Sequence, residues 1–260
     1  MKLQILSDLH LETERFTPEP APGAELLVLA GDVDSTWAGL SLFKDWPVPV
    51  VYVPGNHEFD QRDIHEALAG LRQRCGELGL RMLERESCVI RGADGRHIRF
   101  VGTVRWCDFD LFGADKRAKS QRAASYFVKV MRATRNGQPF DPEAVRDEAL
   151  VCRAWLADTL AQQPTPDQPW DATVAITHYG PSLRSADPRY GNQPGTASFC
   201  NADDGLLPLA NLWIHGHLHC RHDYTVTHPQ GGSTRVVSNA RGHGYKSESL
   251  GHDGLFSVVV

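Results

Sequence analysis

The sequence predicts an α/β protein built from stacked layers of helix and strand. Short apolar runs rich in valine, isoleucine and leucine recur along the chain, each bounded by glycine, proline or polar residues, as in buried strands. Stretches with helical spacing lie between several of them, and alternation of the two implies layers. The length of 260 residues, 41% hydrophobic and 23% charged, suits a globular chain with a sizeable core. A single domain over residues 1–260 is expected.

The strand runs, in order, are Leu3 to Leu6, Leu26 to Ala30, Val50 to Val53, Ile98 to Gly102, Thr173 to Thr177, Leu212 to Ile214, Arg235 to Ser238 and Leu255 to Val260. Asp63 to Cys75 carries Ile64, Ala67, Leu68 and Leu71 at helix spacing. A second helix opens at Pro142 and runs to about Gln163, with proline in its first turn and Asp141 as cap. Between Cys107 and Phe140 the alternation stops. This segment carries Lys116, Arg117, Lys119, Arg122, Lys129, Arg132 and Arg135, and reads either as a basic helical insertion over a site or as a solvated helix face. Pro164 to Pro169 reads as a surface loop.

Composition excludes several roles. A net charge of -5 argues against a long nucleic-acid track and against anionic membranes. No apolar run approaches the roughly 20 residues of a membrane helix. Met1-Lys2 leads directly into LQILSDLH without a signal-peptide pattern, so a cytoplasmic location is expected. Cys75, Cys88, Cys107, Cys152, Cys200 and Cys220 form no CxxC pair and are expected to be reduced thiols.

The chemistry lies at the ends of the runs. ILSDLH delivers Asp8 and His10, LLVLAGD delivers Asp32, VVYVPGNHE delivers Asn56 and His57, TVAITH delivers His178, and LWIHGHLH delivers His217 and His219. In open α/β sheets ligands bind beyond the carboxyl ends of the strands, so these groups should gather at one edge. Each piece alone is weak, since a lone aspartate or histidine after a strand is usually a turn or a satisfied core residue. GNHE is more telling, because a glycine-asparagine turn exposing a histidine needs special backbone. In GHLH, alternate residues can present two imidazoles together.

The series DxH, GD, GNHE, a lone H and GHxH resembles the motif set of the calcineurin-like metallophosphoesterases, from Asp8 to His219. The segment Trp213 to His219 is similar to that of small bacterial members. The chain departs from their usual pattern at Tyr179, at Val104-Arg105 and at Asn239 to His243. The resemblance implies an αββα four-layer sandwich and a binuclear metal centre. Asp8, His10, Asp32 and His219 would hold one divalent transition metal ion, and Asp32, Asn56, His178 and His217 the other, with Asp32 bridging. Two-metal hydrolytic sites hold their ions about 3.5–4 Å apart. Oxygen and imidazole donors suit Mn, Fe, Zn or Ni. His57 would protonate the leaving oxygen or stabilise the transition state, with Asp8 orienting it.

His215 is expected in the core or behind the ligands, and His222, His228 and His252 at the surface. His65 and His97 carry no partner signal. Tyr179, Arg184, Arg105, Arg241 and His243 are candidate substrate contacts, each equally readable as an ordinary structural residue. The expected function is hydrolysis of a phosphodiester or a nucleotide-like small molecule by a metal-activated water. A phosphomonoesterase or protein phosphatase would share the site. A non-catalytic binding module using the fold should have lost ligands, and no motif position is missing here.

Overall fold

The computed structural model describes residues 1–260, the side chain of Phe127 excepted. Its strands are β1 (Lys2–Leu6), β2 (Leu26–Ala30), β3 (Val50–Val53), β4 (Arg81–Met82), β5 (Glu86–Arg91), β6 (His97–Thr103), β7 (Thr134–Arg135), β8 (Gln138–Pro139), β9 (Ala172–Thr177), β10 (Leu212–His215), β11 (Arg221–Thr227), β12 (Ser233–Asn239) and β13 (Ser257–Val259). The α-helices are α1 (Ile64–Leu78), α2 (Arg117–Met131) and α3 (Pro142–Leu160).

One sheet has the order β13-β1-β2-β3-β4, and all its pairings are parallel except that of β13 with β1. The other has the order β11-β12-β10-β9-β6-β5, parallel inside and antiparallel at both edges. Strands buried on both faces need no alternation, and β2, β3, β9 and β10 are buried throughout.

Three apolar clusters define four layers. Leu3, Ile5, Val28 and Val51 of the first sheet meet Phe100, Val174, Ile176 and Ile214 of the second in the central core. The outer face of the first sheet, including Leu29 and Tyr52, receives Leu71, Cys75 and Leu78 of α1. The outer face of the second, including Val101 and Trp213, receives Leu156 and Leu160 of α3. The architecture is therefore the αββα sandwich. Burying each large aliphatic side chain stabilises it by roughly 1.5–3 kcal/mol.

Helix α1 starts where Asp63 accepts from the His65 backbone N–H and ends at Gly79, which takes the left-handed conformation. Asp141 caps α3 through the N–H groups of Glu143 and Ala144, with Pro142 in the first turn. The 107–140 segment holds α2 and a tight hairpin, β7–β8, whose connecting Asn136 and Gly137 both have positive φ. This segment packs through Ala124, Met131 and Phe140 into a fourth cluster that contains Phe59, Trp106 and Tyr179. Among the described residues no helix is long and apolar enough to cross a membrane.

Candidate metal centre

The parallel strands bring the expected donors to one edge shared by both sheets. Asp8 and His10 follow β1, Asp32 follows β2, and Asn56 and His57 follow β3; His178 follows β9, and His217 and His219 follow β10. The chain leaves these strands through unusual backbone. Asp8, His10, Asp32, His217 and His219 all have φ between 47° and 71°, the left-handed region. Each such non-glycine residue costs of order 1–3 kcal/mol and persists only where its surroundings enforce it. Here Asp8 N donates to Gly31 O (2.9 Å), His10 N to Asp32 O (3.1 Å) and Gly216 N to His178 O (3.0 Å). The Asp8 carboxylate also accepts from His217 N at 2.8 Å, and the Asp32 carboxylate from His57 N at 2.9 Å.

Glycine precedes three of the donors for a steric reason. A Cβ on Gly55 would strike the Asp32 carboxylate, one on Gly31 would strike the His178 ring, and one on Gly216 would strike Asp8 Oδ2. The motifs therefore interlock, each glycine making room for a donor from another strand.

Two donor clusters result. Asp8, His10, Asp32 and His219 form one, and Asp32, His178 and His217 the other, with the donor atoms of each cluster within 4.8 Å of one another. Asp32 belongs to both. His10 Nε2 and His219 Nε2 are 3.0 Å apart, and His219 Nε2 is 3.6 Å from Asp8 Oδ1. Asp32 Oδ2 lies 3.1 Å from His178 Nε2 and 4.0 Å from His10 Nε2. Asn56 Oδ1 lies 3.2 Å from His178 Nε2, which places the amide beside the second cluster.

Each imidazole is oriented from behind. His10 Nδ1 faces Glu12 Oε1 at 3.1 Å, and His219 Nδ1 faces Glu248 Oε2 at 2.7 Å. His178 Nδ1 donates to Ala30 O at 2.8 Å, and His217 Nε2 donates to Ser198 O at 3.1 Å. A carboxylate or carbonyl behind an imidazole fixes its tautomer and leaves the other nitrogen free for a cation.

The residues fit a pair of divalent ions. Asp8 Oδ2 is buried without a hydrogen-bond partner, a costly arrangement unless a cation satisfies it. The donors are oxygen and imidazole without thiolate. Burial opposes ionisation of Asp32, yet the neighbouring His178 and His57 hold its carboxyl well below the usual range. Burial likewise opposes the charge on His178, but Asp32 pushes it up to about 9. A cation at Asp32 would replace these imidazolium charges and return His178 to the neutral form that a ligand requires.

His57 stands beside the clusters, its side chain 28% exposed and its ring centroid 5.3 Å from that of His10. Its Nδ1 lies 2.9 Å from Asp60 Oδ2. The carboxylate that faces His57 Nδ1 is thus that of Asp60, where the sequence expectation named Asp8, whose Oδ1 accepts from the His217 amide. Burial would lower the His57 pKa, but Asp32 and Asp60 push it up to about 10. Glu58, to which the sequence attached no role, is fully buried beneath the turn. Its carboxylate accepts from Asp32 N, Val33 N and Gly55 N at 2.7–3.0 Å, clamping two motifs together. Burial and the Asp32 charge push Glu58 up to about 7.

The remaining candidates divide. Tyr179 is buried, with its ring centroid 4.1 Å from that of His217. Arg105 is buried in ion pairs with Asp108 and Asp203, and Arg241 is tied to Glu14. Arg184 lies over the Tyr224 ring and donates to Thr225 O. His243 alone joins the donors, in a cluster with His10 and His219. His215 is buried and bonded to Ser185 Oγ, outside the donor clusters. Contrary to the surface expectation, His228 is buried against Thr234, while His222 and His252 are half-buried. His222 lies on β11, His228 between β11 and β12, and His252 between β12 and β13. All six cysteines are free.

The chain is similar to several known proteins. A UDP-2,3-diacylglucosamine hydrolase from Stenotrophomonas maltophilia is 32% identical over 95 residues, which cover 28% of this chain and 38% of that protein. The match therefore spans well under half of that curated relative's length. Among solved structures, a dimetal phosphatase from Danio rerio is 10% identical, with a TM-score of 0.45 over 92% of this chain and 87% of its own. A second solved chain is 12% identical, with a TM-score of 0.49 over 92% of this chain and 90% of its own. The family model for calcineurin-like phosphoesterases matches residues 1–221, and the chain belongs to that family.

Proposed function

We propose that the protein is a two-metal phosphoesterase acting on a phosphodiester or a nucleotide-like small molecule. The observation that carries this reading is the sharing of Asp32 between two donor clusters. Asp8, His10, Asp32 and His219 would hold one ion, and Asp32, Asn56, His178 and His217 the other. Mn, Fe, Zn and Ni all suit this donor set. When bound, such ions lower the pKa of water and neutralise phosphoryl charge. The chain's own residues do the rest. His57, held by Asp60, carries a proton at the open side of the centre and delivers it to the leaving oxygen. Glu58 keeps the Asp32 and Asn56 turns in register.

The carboxylates around the centre support the choice of a diester over a monoester. Glu12, Asp60 and Glu248 stand behind His10, His57 and His219. These carboxylates would offset part of the positive charge of bound ions, which lessens the extra pull on a monoester dianion relative to a diester. We further propose that residues 1–260 work as one domain, with α2 of the 107–140 segment flanking the mouth of the site. Helix α2 packs against the 3₁₀ turn Pro194–Ser198, whose Ser198 carbonyl orients His217.

The test is metal analysis of the purified protein, followed by monoester, diester and cyclic-nucleotide substrates with added Mn. About two ions per chain and preferential diester turnover are expected. Full activity without bound metal would overturn the two-metal reading, and a clear monoester preference would overturn the diester assignment.

A further inference from the structure

Residues 241–248 close against the same side of the centre as His10 and His219, and their imidazole is not used by the seven donors. The His243 ring lies 4.2 Å from that of His10 and 5.0 Å from that of His219, centroid to centroid. One ring nitrogen from each of the three lies within 4.8 Å of the others. Every other imidazole in the two clusters has its rear nitrogen facing a carboxylate or a carbonyl. His243 Nδ1, in contrast, is buried with no hydrogen-bond partner.

The position is held from several directions. Gly242 N donates to Asp8 O at 3.0 Å. His243 N donates at 2.9 Å to Glu248 Oε2, the oxygen that also faces His219 Nδ1. Gly242 has φ +68°, and a Cβ there would come within 2.7 Å of the Glu248 Cβ and 3.0 Å of the His219 Cβ. Only glycine lets the loop approach this closely.

We propose that His243 is a further protein ligand of the ion held by Asp8, His10 and His219. The proposal rests on the two-metal reading above. It gives that ion three imidazoles and two carboxylates, a set richer in nitrogen than that of its neighbour, so the two positions should differ in affinity and fill in order.

The test is Co(II) titration of metal-free wild-type protein, His243→Ala and His243→Phe. Visible absorption would be followed, and affinities read by competition with a chromophoric chelator. Wild type is expected to bind two ions. Removing a group that merely supports a ligand typically lowers metal affinity about 10–100-fold, so both variants should lose at least about tenfold at one position and keep the other. The bands of the weakened position should shift as water replaces imidazole. His243→Phe keeps the ring packing, and thermal melts of the metal-free proteins would verify the fold. Wild-type bands and affinities in His243→Phe would overturn the proposal and leave His243 as a packing or substrate-facing residue. A wild-type chain that binds no cobalt would instead overturn the two-metal reading and this inference with it.

Discussion

His57 and Asn56 are neighbours in sequence and offer different things to the site. The Asn56 oxygen turns in beside His178, while the His57 ring stays at the open side on Asp60. Removing a positioned general acid typically lowers the rate about 10²–10⁴-fold, so His57→Ala should keep its metal and lose kcat on that scale. The loss should be smaller on a nitrophenyl ester, whose leaving group needs little protonation. Equal loss on good and poor leaving groups would point to charge stabilisation instead. Asp32→Asn is expected to lower metal content at both positions, measured on the dialysed protein; full occupancy with full activity would refute the bridging role. The side chains that gather at this edge were legible in the sequence because each follows an apolar run. The roles of Glu12, Glu58 and Glu248 were not, because a carboxylate behind an imidazole or under a turn leaves no pattern in hydrophobicity, even where, as for Glu12 and Glu58, it stands two or three residues from a partner.

At the scale of elements, the buried strands were legible because apolar runs of four to six residues have few other uses. Strands β5 and β11 were missed for the opposite reason: they are edge strands with exposed and half-buried residues in alternation, ESCVIR and RHDYTVT. The hairpin β7–β8 had an Asn-Gly turn in view, but its two-residue strands are too short to leave a pattern. The interlocking glycines allow a direct test. Gly55→Ala should displace the Asp32 carboxylate and lower both metal content and activity, whereas a Cβ on Gly76, within α1, meets nothing within 4 Å. Gly76→Ala should leave activity unchanged and stabilise by roughly 0.5–1 kcal/mol, checked by denaturant unfolding. Helix α2 can be tested by its free charges. Arg117 is paired with Asp110, and Arg135 with Asp147, whereas Lys116, Lys119 and Arg122 are exposed. Replacing those three with glutamine should raise KM at low salt with little change in kcat, and the effect should fade as salt screens it. An unchanged KM would return α2 to the role of a solvated face.

For the whole molecule, the two sheets are held by a central core that contains none of the donors, so the fold does not need metal to bury its apolar surface. Chelation should therefore lower the melting temperature without unfolding the chain. Each ion present at about 100 times its Kd adds about 2.7 kcal/mol, or roughly 5–10 °C for a chain of this size. Calorimetry with and without chelator would check this; loss of cooperative melting on chelation would show that the fold depends on metal.

The placement of the centre across both sheets also sets an order of events during synthesis. The first sheet supplies Asp8, His10, Asp32 and Asn56 from the beginning of the chain, and the second supplies His178, His217 and His219 from near its end. Translation runs from the N-terminus, so Asp8, His10, Asp32 and Asn56 leave the ribosome long before His178, His217 and His219. On the two-metal reading, neither donor set is complete until His178, His217 and His219 have emerged. Any choice between metals would then be a late step, made by the nearly finished chain.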